Sequence, residues 1–365
     1  MQRFERRLRK LRQELEARNL DTFIITHPQN RRYLSGFTGT DGTLFITGDK
    51  AALTTDFRYL EQAQRESPAY ELVEATSDIL AQSLSDLATA VRAKRMGFES
   101  HHVTFANYCQ WAETAAGFEL VPVKDLVEEM RAIKDEGEME AIKRAVAIGD
   151  AAMAHVREFI TQGMTEKEVG WELEVYMRTH GAEAVAFDII VASGPNGAMP
   201  HATVSDRVIQ AGEPIVIDLG ARVDGYHSDL TRTLVLGERD DRFQEIYDLV
   251  LKAQLAALEG IRPGMTGREA DALARDVIDE AGYGEYFGHG LGHGVGLEVH
   301  EKPRAGRKSQ DVLRPGMTLT VEPGIYIPGW GGVRIEDLVV IGKDGVRILS
   351  RADKRAVAGA GGGHL

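Results

Sequence analysis

Apolar residues recur at helical spacing near the start of the chain, at Phe4, Leu8, Leu11 and Leu15, with Arg3, Arg6, Arg7, Arg9, Lys10 and Arg12 between them. The pattern predicts an amphipathic helix whose basic face is solvated, in preference to a polyanion-binding stretch. The apolar run Thr22 to Ile25 reads as a strand, followed by a polar turn through Pro28 and Asn30 and then Tyr33-Leu34-Ser35-Gly36-Phe37. Further strands are predicted at Thr43 to Thr47, Ala51 to Thr54 and Arg95 to Glu99, with helices around Arg58 to Arg65 and Ser77 to Arg92. This alternation predicts a small α/β domain, here residues 1–128. No metal-ligand cluster or phosphate loop is legible in it, so its expected role is in assembly or in closing a site. From Glu128 the pattern becomes one long helix running through Met153 to Ile160, which opens a second domain, residues 129–355.

That second domain weakly repeats itself. Ile160-Thr161-Gln162-Gly163-Met164-Thr165-Glu166-Lys167-Glu168 is echoed by Ile261-Arg262-Pro263-Gly264-Met265-Thr266-Gly267-Arg268-Glu269. Each copy reads as a turn, a Thr N-cap with Glu three residues on, and a helix. A similar interval separates Ile217-Asp218-Leu219-Gly220 from Val321-Glu322-Pro323-Gly324. Two similar halves, each carrying a pair of carboxylates, predict a centre enclosed between them.

The carboxylates lie in strand-like phrases. Asp218 and Asp229 flank Asp224-Gly225, a dipeptide that favours a tight hairpin turn. In that register residue 231 lies opposite residue 218, and Asp229 sits diagonally on the same face. Glu322 and Glu336 bracket Pro328-Gly329-Trp330-Gly331-Gly332, consistent with a second, longer hairpin. Between the hairpins stands Phe287-Gly288-His289-Gly290-Leu291-Gly292-His293-Gly294-Val295-Gly296-Leu297-Glu298-Val299-His300-Glu301, where alternating glycines let backbone approach a ligand closely. The stretch lacks the spacings of nucleotide-binding loops, and His300-Glu301 does not extend into a zinc-protease H-E-x-x-H helix. Asp218, Asp229, His293, Glu322 and Glu336 together suit two divalent first-row ions such as manganese, cobalt, iron or zinc, and the lack of thiolates argues against a closed structural zinc site. Such a pair lowers the pKa of a shared water and braces both sides of a displacement.

Composition narrows the class. A chain of 365 residues, 43% hydrophobic, is expected to form two domains. Its formal net charge of −13 argues against a nucleic-acid surface. No apolar run approaches about 18 residues and no apolar stretch follows the opening charges, so neither a membrane span nor export is expected, and the cytoplasm is the default. The single cysteine, Cys109, excludes an intrachain disulfide and reads as a buried thiol. Residues 356–365, rich in glycine, read as a flexible tail.

Residues 132–345 resemble the catalytic domain of the pita-bread metallopeptidases, which include Xaa-Pro aminopeptidases, Xaa-Pro dipeptidases (prolidases) and methionine aminopeptidases. Val216-Ile217-Asp218-Leu219-Gly220 to Asp229-Leu230-Thr231-Arg232 resembles that family's first ligand hairpin. His289 to His300 resembles its histidine segment, Val321-Glu322-Pro323-Gly324 its fourth ligand, and Gly332-Val333-Arg334-Ile335-Glu336-Asp337 its fifth. Pro200-His201-Ala202 falls where proline-specific members carry an active-site histidine, and the N-terminal segment with Asn30 and Tyr33 to Phe37 resembles the creatinase-like accessory domain of that branch. The resemblance implies an α/β (α+β) architecture, a small N-terminal domain before a pita-bread domain of pseudo-twofold halves.

It also implies roles for individual residues. Asp218 would chelate one metal, Asp229 and Glu336 would bridge two, and His293 and Glu322 would complete the other, with manganese the expected ion. Glu322 would relay the proton, and His201 and His300 would polarise the scissile carbonyl. His289 would shape the proline side, while Arg334 would hold either the acidic cluster or the substrate. Arg304 resembles a position used by some prolidases to hold a dipeptide's carboxylate, although an exposed loop arginine is the simpler reading. The sequence leans slightly to an Xaa-Pro aminopeptidase that tolerates longer proline peptides, with an Xaa-Pro dipeptidase as the alternative. A methionine aminopeptidase is the next reading among enzymes, a metal-free creatinase is weaker, and a catalytically silent binding module is the reading from a different class. A homodimer with neither nucleic-acid nor membrane partners is expected from the family.

Overall fold

The opening helix, Gln2–Ala17, buries Leu11 and Leu15 as its spacing predicts, but its basic face is not wholly solvated. Arg7 is buried, donates from Nη1 to the Tyr33 carbonyl at 2.8 Å, and stacks 3.9 Å above the Tyr33 ring. The computed structural model describes residues 2–75, 93–114 and 117–358. The helix expected at Ser77 to Arg92 therefore lies outside the described residues. Two units divide the chain, Met1–Arg131 and Ala132–Leu365.

In the first unit the described strands form one mixed sheet in the order Glu71–Glu74, Ala51–Thr55, Thr43–Thr47, Thr22–Ile25, Arg95–Glu99, Glu119–Val123. Ile24, Phe45, Met96, Phe98 and Trp111 pack together in its core. Two local expectations fail here. The segment expected to turn through Pro28 and Asn30 is a helix, Pro28–Ser35, because proline at the first helical position sacrifices no hydrogen bond. Gly36 stops it in the left-handed region, φ +84°, with its N–H on the Arg32 carbonyl. Cys109, expected to be buried, is only half-buried on the helix Phe105–Thr114.

The long helix expected from Glu128 to Ile160 is two helices, Leu126–Ala132 and Glu136–Phe159. Asp135 restarts the chain as an N-cap, accepting from Glu138 N–H while the Glu138 carboxylate accepts from Asp135 N–H. Such caps stabilise a helix by about 1 kcal/mol.

The second unit holds two helix pairs, Glu136–Phe159 with Glu166–Thr179 and Asp241–Gly260 with Gly267–Glu280. The internal repeat is visible in their hydrogen bonds. Thr165 and Thr266 make the same capping box, with Glu168 and Glu269. Gly163 and Ile209 N–H donate to Ile209 and Met164 carbonyls, just as Gly264 and Leu313 N–H donate to Leu313 and Met265 carbonyls. Isolated bridges Thr165 to Val208 and Thr266 to Val312 complete the correspondence. Short strand Val357–Ala358 pairs in parallel with Val235 and Leu236, so the sheet takes in two residues of the segment expected to be flexible, while 359–365 lie outside the described residues. No described helix is long and apolar enough to cross a membrane.

Candidate metal centre

Each half contributes one broken hairpin, and four carboxylates stand at or beside the breaks. In the first, Ile215–Leu219 pairs with Leu230–Leu236, placing Thr231 opposite Asp218. Beyond it Ala221–Val223 pairs with Tyr226–His227 around Asp224-Gly225, which take φ +49° and +77° as a tight hairpin turn requires. The ladder is interrupted between these parts, at Gly220 and Ser228-Asp229. A Cβ at Gly220 would lie 2.1 Å from the Ser228 carbonyl oxygen, so only glycine allows this approach. In the second hairpin Thr318–Val321 pairs with Asp337–Ile341, and Gly324–Ile327 with Gly331–Arg334. Its ladder breaks at Glu322-Pro323 and Ile335-Glu336.

The five sequence-predicted ligands converge. Carboxylate oxygens of Asp218, Asp229 and Glu336 all lie within 4.8 Å of one another. His293 Nε2 is 3.3 Å from Glu322 Oε1 and 3.7 Å from Asp229 Oδ2. His293 Nδ1 lies 3.1 Å from the Gly294 carbonyl, to which it donates, which leaves Nε2 facing the carboxylates. Asp218 Oδ1 and Glu336 Oε1 are buried with no hydrogen-bond partner, though their other oxygens accept from Arg334 and Thr231. Buried carboxylate oxygens without partners are costly unless a cation compensates them, and an all-oxygen-and-nitrogen donor set suits divalent metal ions.

The electrostatics agree with that fit. Burial first, and then the neighbouring carboxylates, push Asp229 and Glu336 well above the usual carboxylate range. Asp218 is raised by burial against the opposing charge of Arg334. Burial would also raise Glu322, but the hydrogen bond and charge of His293 override it and hold the group low.

Arg334 is buried and aimed at the cluster. It donates from Nε to Thr231 Oγ1 at 2.9 Å, from Nη1 to the Tyr326 hydroxyl at 2.9 Å, and from Nη2 to Asp218 Oδ2 at 2.7 Å. His289 donates from Nδ1 to the Gly290 carbonyl, so its Nε2, 2.9 Å from Tyr326, accepts the hydroxyl proton. Both nitrogens of His289 are thus held by protein groups. Tyr326, Thr231 and Thr320, which donates to Glu322 Oε1 at 2.9 Å, are site residues that motif reading passes over. The only signal for Tyr326 is its position at even spacing from Glu322, on the strand Gly324–Ile327 that follows it.

A cavity of about 590 Å³ opens onto this cluster, and Asp218, Asp229, His289, His293, Glu322 and Arg334 are among its walls. His201, exposed just after the 3-10 turn Gly194–Ala198, stands on the wall with His300 and Arg304. The His300 ring centroid is 4.2 Å from that of His293. Burial, with the nearby His293 and Arg304, lowers His300 to about 4, so it is neutral at pH 7. Arg304 lies directly across the ladder from His293, on strand Glu301–Ala305. Apolar Phe187, Ile190 and Val299 complete the wall.

The first unit also holds a group that the sequence reading missed. His101, Asp125 and Glu128 come within 4.8 Å, with His101 Nε2 3.1 Å from Glu128 Oε1. Asn30 also donates to Glu128, so hydrogen bonds already account for this grouping.

Comparison with known proteins adds an independent line. The model of metallopeptidase family M24 matches residues 140–343, and that of the creatinase/prolidase N-terminal domain matches residues 7–133. An Xaa-Pro dipeptidase of Pyrococcus horikoshii is 39% identical over 96% of this chain and 98% of its own. The solved structure of an Xaa-Pro dipeptidase from Bacillus anthracis superposes with a TM-score of 0.93 at 43% identity, covering 97% of this chain and 99% of that one. An X-Pro aminopeptidase structure from Thermotoga maritima gives 0.86 at 38% identity, covering 94% and 98%.

Proposed function

The chain belongs to metallopeptidase family M24, with a creatinase/prolidase N-terminal domain and a pita-bread catalytic domain, and from this we propose that it is an Xaa-Pro dipeptidase with a dinuclear metal centre. The slight lean of the sequence toward an aminopeptidase gives way, because more of the relatives are named as dipeptidases or prolidases, and the Bacillus anthracis dipeptidase superposes with a higher TM-score than the Thermotoga maritima aminopeptidase. The observation that carries the reading is Arg304, an exposed cation on the cavity wall directly across the ladder from His293. A dipeptide presents its free carboxylate one residue from the scissile bond, where such a cation pairs with it.

Asp218, Asp229, His293, Glu322 and Glu336 would hold two divalent ions, with manganese the expected metal. When bound, the ions supply Lewis acidity and a water of lowered pKa. The chain's own residues do the rest. Thr320 donates to Glu322 Oε1, which leaves Oε2 to take up the water's proton and pass it to the proline nitrogen. Neutral His300 offers an N–H to the carbonyl oxygen without adding charge, and His201 offers a second imidazole from the cavity wall. His289, locked by Tyr326 and Gly290, gives the proline ring a rigid wall, and Arg334 holds Asp218 in place. A bond to proline has no amide hydrogen, so the site needs no acceptor for one; the fixed ring instead demands shape. The reading carries with it a homodimer, which light scattering tests, in the cytoplasm, which cell fractionation tests.

The deciding experiment measures hydrolysis of Ala-Pro, Ala-Pro-Ala and Met-Ala-Ser by metal-stripped protein reloaded with manganese, cobalt or zinc. Cleavage of Ala-Pro alone supports the dipeptidase. Cleavage of both proline peptides returns the reading to an aminopeptidase, and turnover of only the methionine peptide, or of none, refutes it.

A further inference from the structure

Lys134 and Glu301 form a salt bridge of 2.5 Å between side chains that are 0% and 4% exposed. Neither belongs to the metal cluster or the cavity wall, and their separation along the chain, 167 residues, offers no local reason for the pairing. A fully buried ion pair is a weak source of stability, since apolar residues of similar volume usually do as well. What distinguishes this pair is what it joins. Glu301 follows His300 directly and sits opposite Gly294 at the base of the loop between His293 and His300. Its carboxylate lies under Gly296, where a Cβ would come within 2.3 Å of Oε1, so the loop closes over the charged group itself. Lys134, in turn, is fixed by its backbone. Its N–H donates to the Gly316 carbonyl at 3.0 Å, and Ile133 bridges Met317, immediately before the strand Thr318–Val321 that leads to Glu322. Lys134 Nζ also donates to the Ala132 carbonyl at 3.3 Å.

We propose that Lys134 is a positioning residue for the reaction: through Glu301 it holds the loop that presents His300 in register with the strand that presents Glu322. The ammonium acts as a directional peg. It accepts one placement of the Glu301 carboxylate, and the His300 backbone follows from that placement by a single peptide bond. An apolar pair of equal volume would fill the space yet leave the loop free to slide, because dispersion contacts have no preferred direction. His300 then loses its aim at the substrate carbonyl while the metal ligands keep theirs. This inference rests on the Xaa-Pro peptidase reading for its kinetic arm only.

Lys134→Met, Glu301→Gln and the double variant Lys134→Met/Glu301→Leu test it. With Ala-Pro as substrate, Lys134→Met is expected to lower kcat by about tenfold or more, as displacement of a group by about an ångström does, with KM and bound metal close to wild type. Glu301→Gln, which keeps an acceptor for Nζ, is expected to lose less. The double variant is expected to regain the wild-type melting temperature without regaining kcat. Recovery of kcat together with melting temperature would reduce the pair to packing and overturn the proposal, as would wild-type kcat in Lys134→Met. If Lys134→Met does not fold, the double variant and Glu301→Gln decide between the same outcomes. A crystal structure of the double variant gives a reading independent of turnover. The 4.2 Å contact between the His293 and His300 rings should be lost; an unchanged contact overturns the proposal. A lost contact in a protein whose wild type cleaves no proline peptide would refute the function while leaving the positioning intact.

Discussion

Replacing Arg334 by methionine removes the guanidinium that donates to Asp218, Tyr326 and Thr231 in the wall of the carboxylate cluster. Its charge is among the influences lowering Asp218, Asp229 and Glu336, against burial that raises all three. Breaking one side of a buried ion pair costs about 3–5 kcal/mol, because the remaining charge is left unpaired. In a unit the size of Ala132–Leu365, each kcal/mol shifts the melting temperature by about 2–4 °C. The metal-free variant should therefore melt roughly 10 °C below metal-free wild type. With the centre loaded, the ions take over part of Arg334's task, since they compensate the same carboxylates. The deficit should then shrink by several degrees. Scanning calorimetry of both proteins, in chelator and in excess manganese, reads the four values. An equal deficit with and without metal would refute the reasoning, because Arg334 would then be stabilising something other than the cluster. A deficit below about 3 °C in chelator would do the same.

Other perturbations follow from the same geometry. Arg304→Ala should raise KM for Ala-Pro by about tenfold to a hundredfold, the value of a hydrogen bond to a charged group, and change kcat far less; steady-state kinetics with Ala-Pro and its C-terminal amide separates these, and equal effects on both would show that Arg304 does not meet the carboxylate. Loading metal into the centre should release protons, the more so as pH falls, because the ions require in ionised form the carboxylates of Asp229 and Glu336, whose protonated form burial and neighbouring charge favour. Calorimetric titration in buffers of different ionisation enthalpy checks this, and a buffer-independent heat would contradict it. The same shifts set a sign for the metal-free protein. A carboxylate whose folded pKa lies above its unfolded value contributes stability that is fully present below the unfolded pKa, so melting temperature in chelator should fall as pH rises from about 4 toward neutrality. Gly220→Ala should cost about 1–3 kcal/mol through its clash with the Ser228 carbonyl and weaken metal binding with it, as denaturant titration and metal analysis would show.

Much of the candidate centre's geometry was legible because its carboxylates sit in phrases with strong local geometry. Asp224-Gly225 sets a hairpin whose register places Thr231 opposite Asp218, and no long-range knowledge is needed to see it. The capping boxes at Thr165 and Thr266 were equally plain, each being a matter of four consecutive residues. What escaped depends on partners far away in sequence. The helix break at Ile133 to Asp135 follows from the contacts of Ile133 and Lys134 with Met317, Gly316 and Glu301, none of which is marked in the local pattern. Arg7 looked like one more solvated arginine because Tyr33, its partner, lies on another helix. The helix at Pro28 was missed for a different reason: proline signals both a turn and a first helical residue, and only the capping Gly36 decides between them.

The division of the four carboxylates between two hairpins also bears on how the protein is made. A chain growing from its N-terminus carries Asp218 and Asp229 long before Glu322 and Glu336 exist, and two lone carboxylates hold a divalent ion poorly. Only when the second hairpin has been synthesised and has docked through the hydrogen bond from Glu336 N–H to the Thr231 carbonyl does a full set of donors come into being. On the proposed ligand set, choice among metals would therefore fall to a finished cavity and not to a nascent coil.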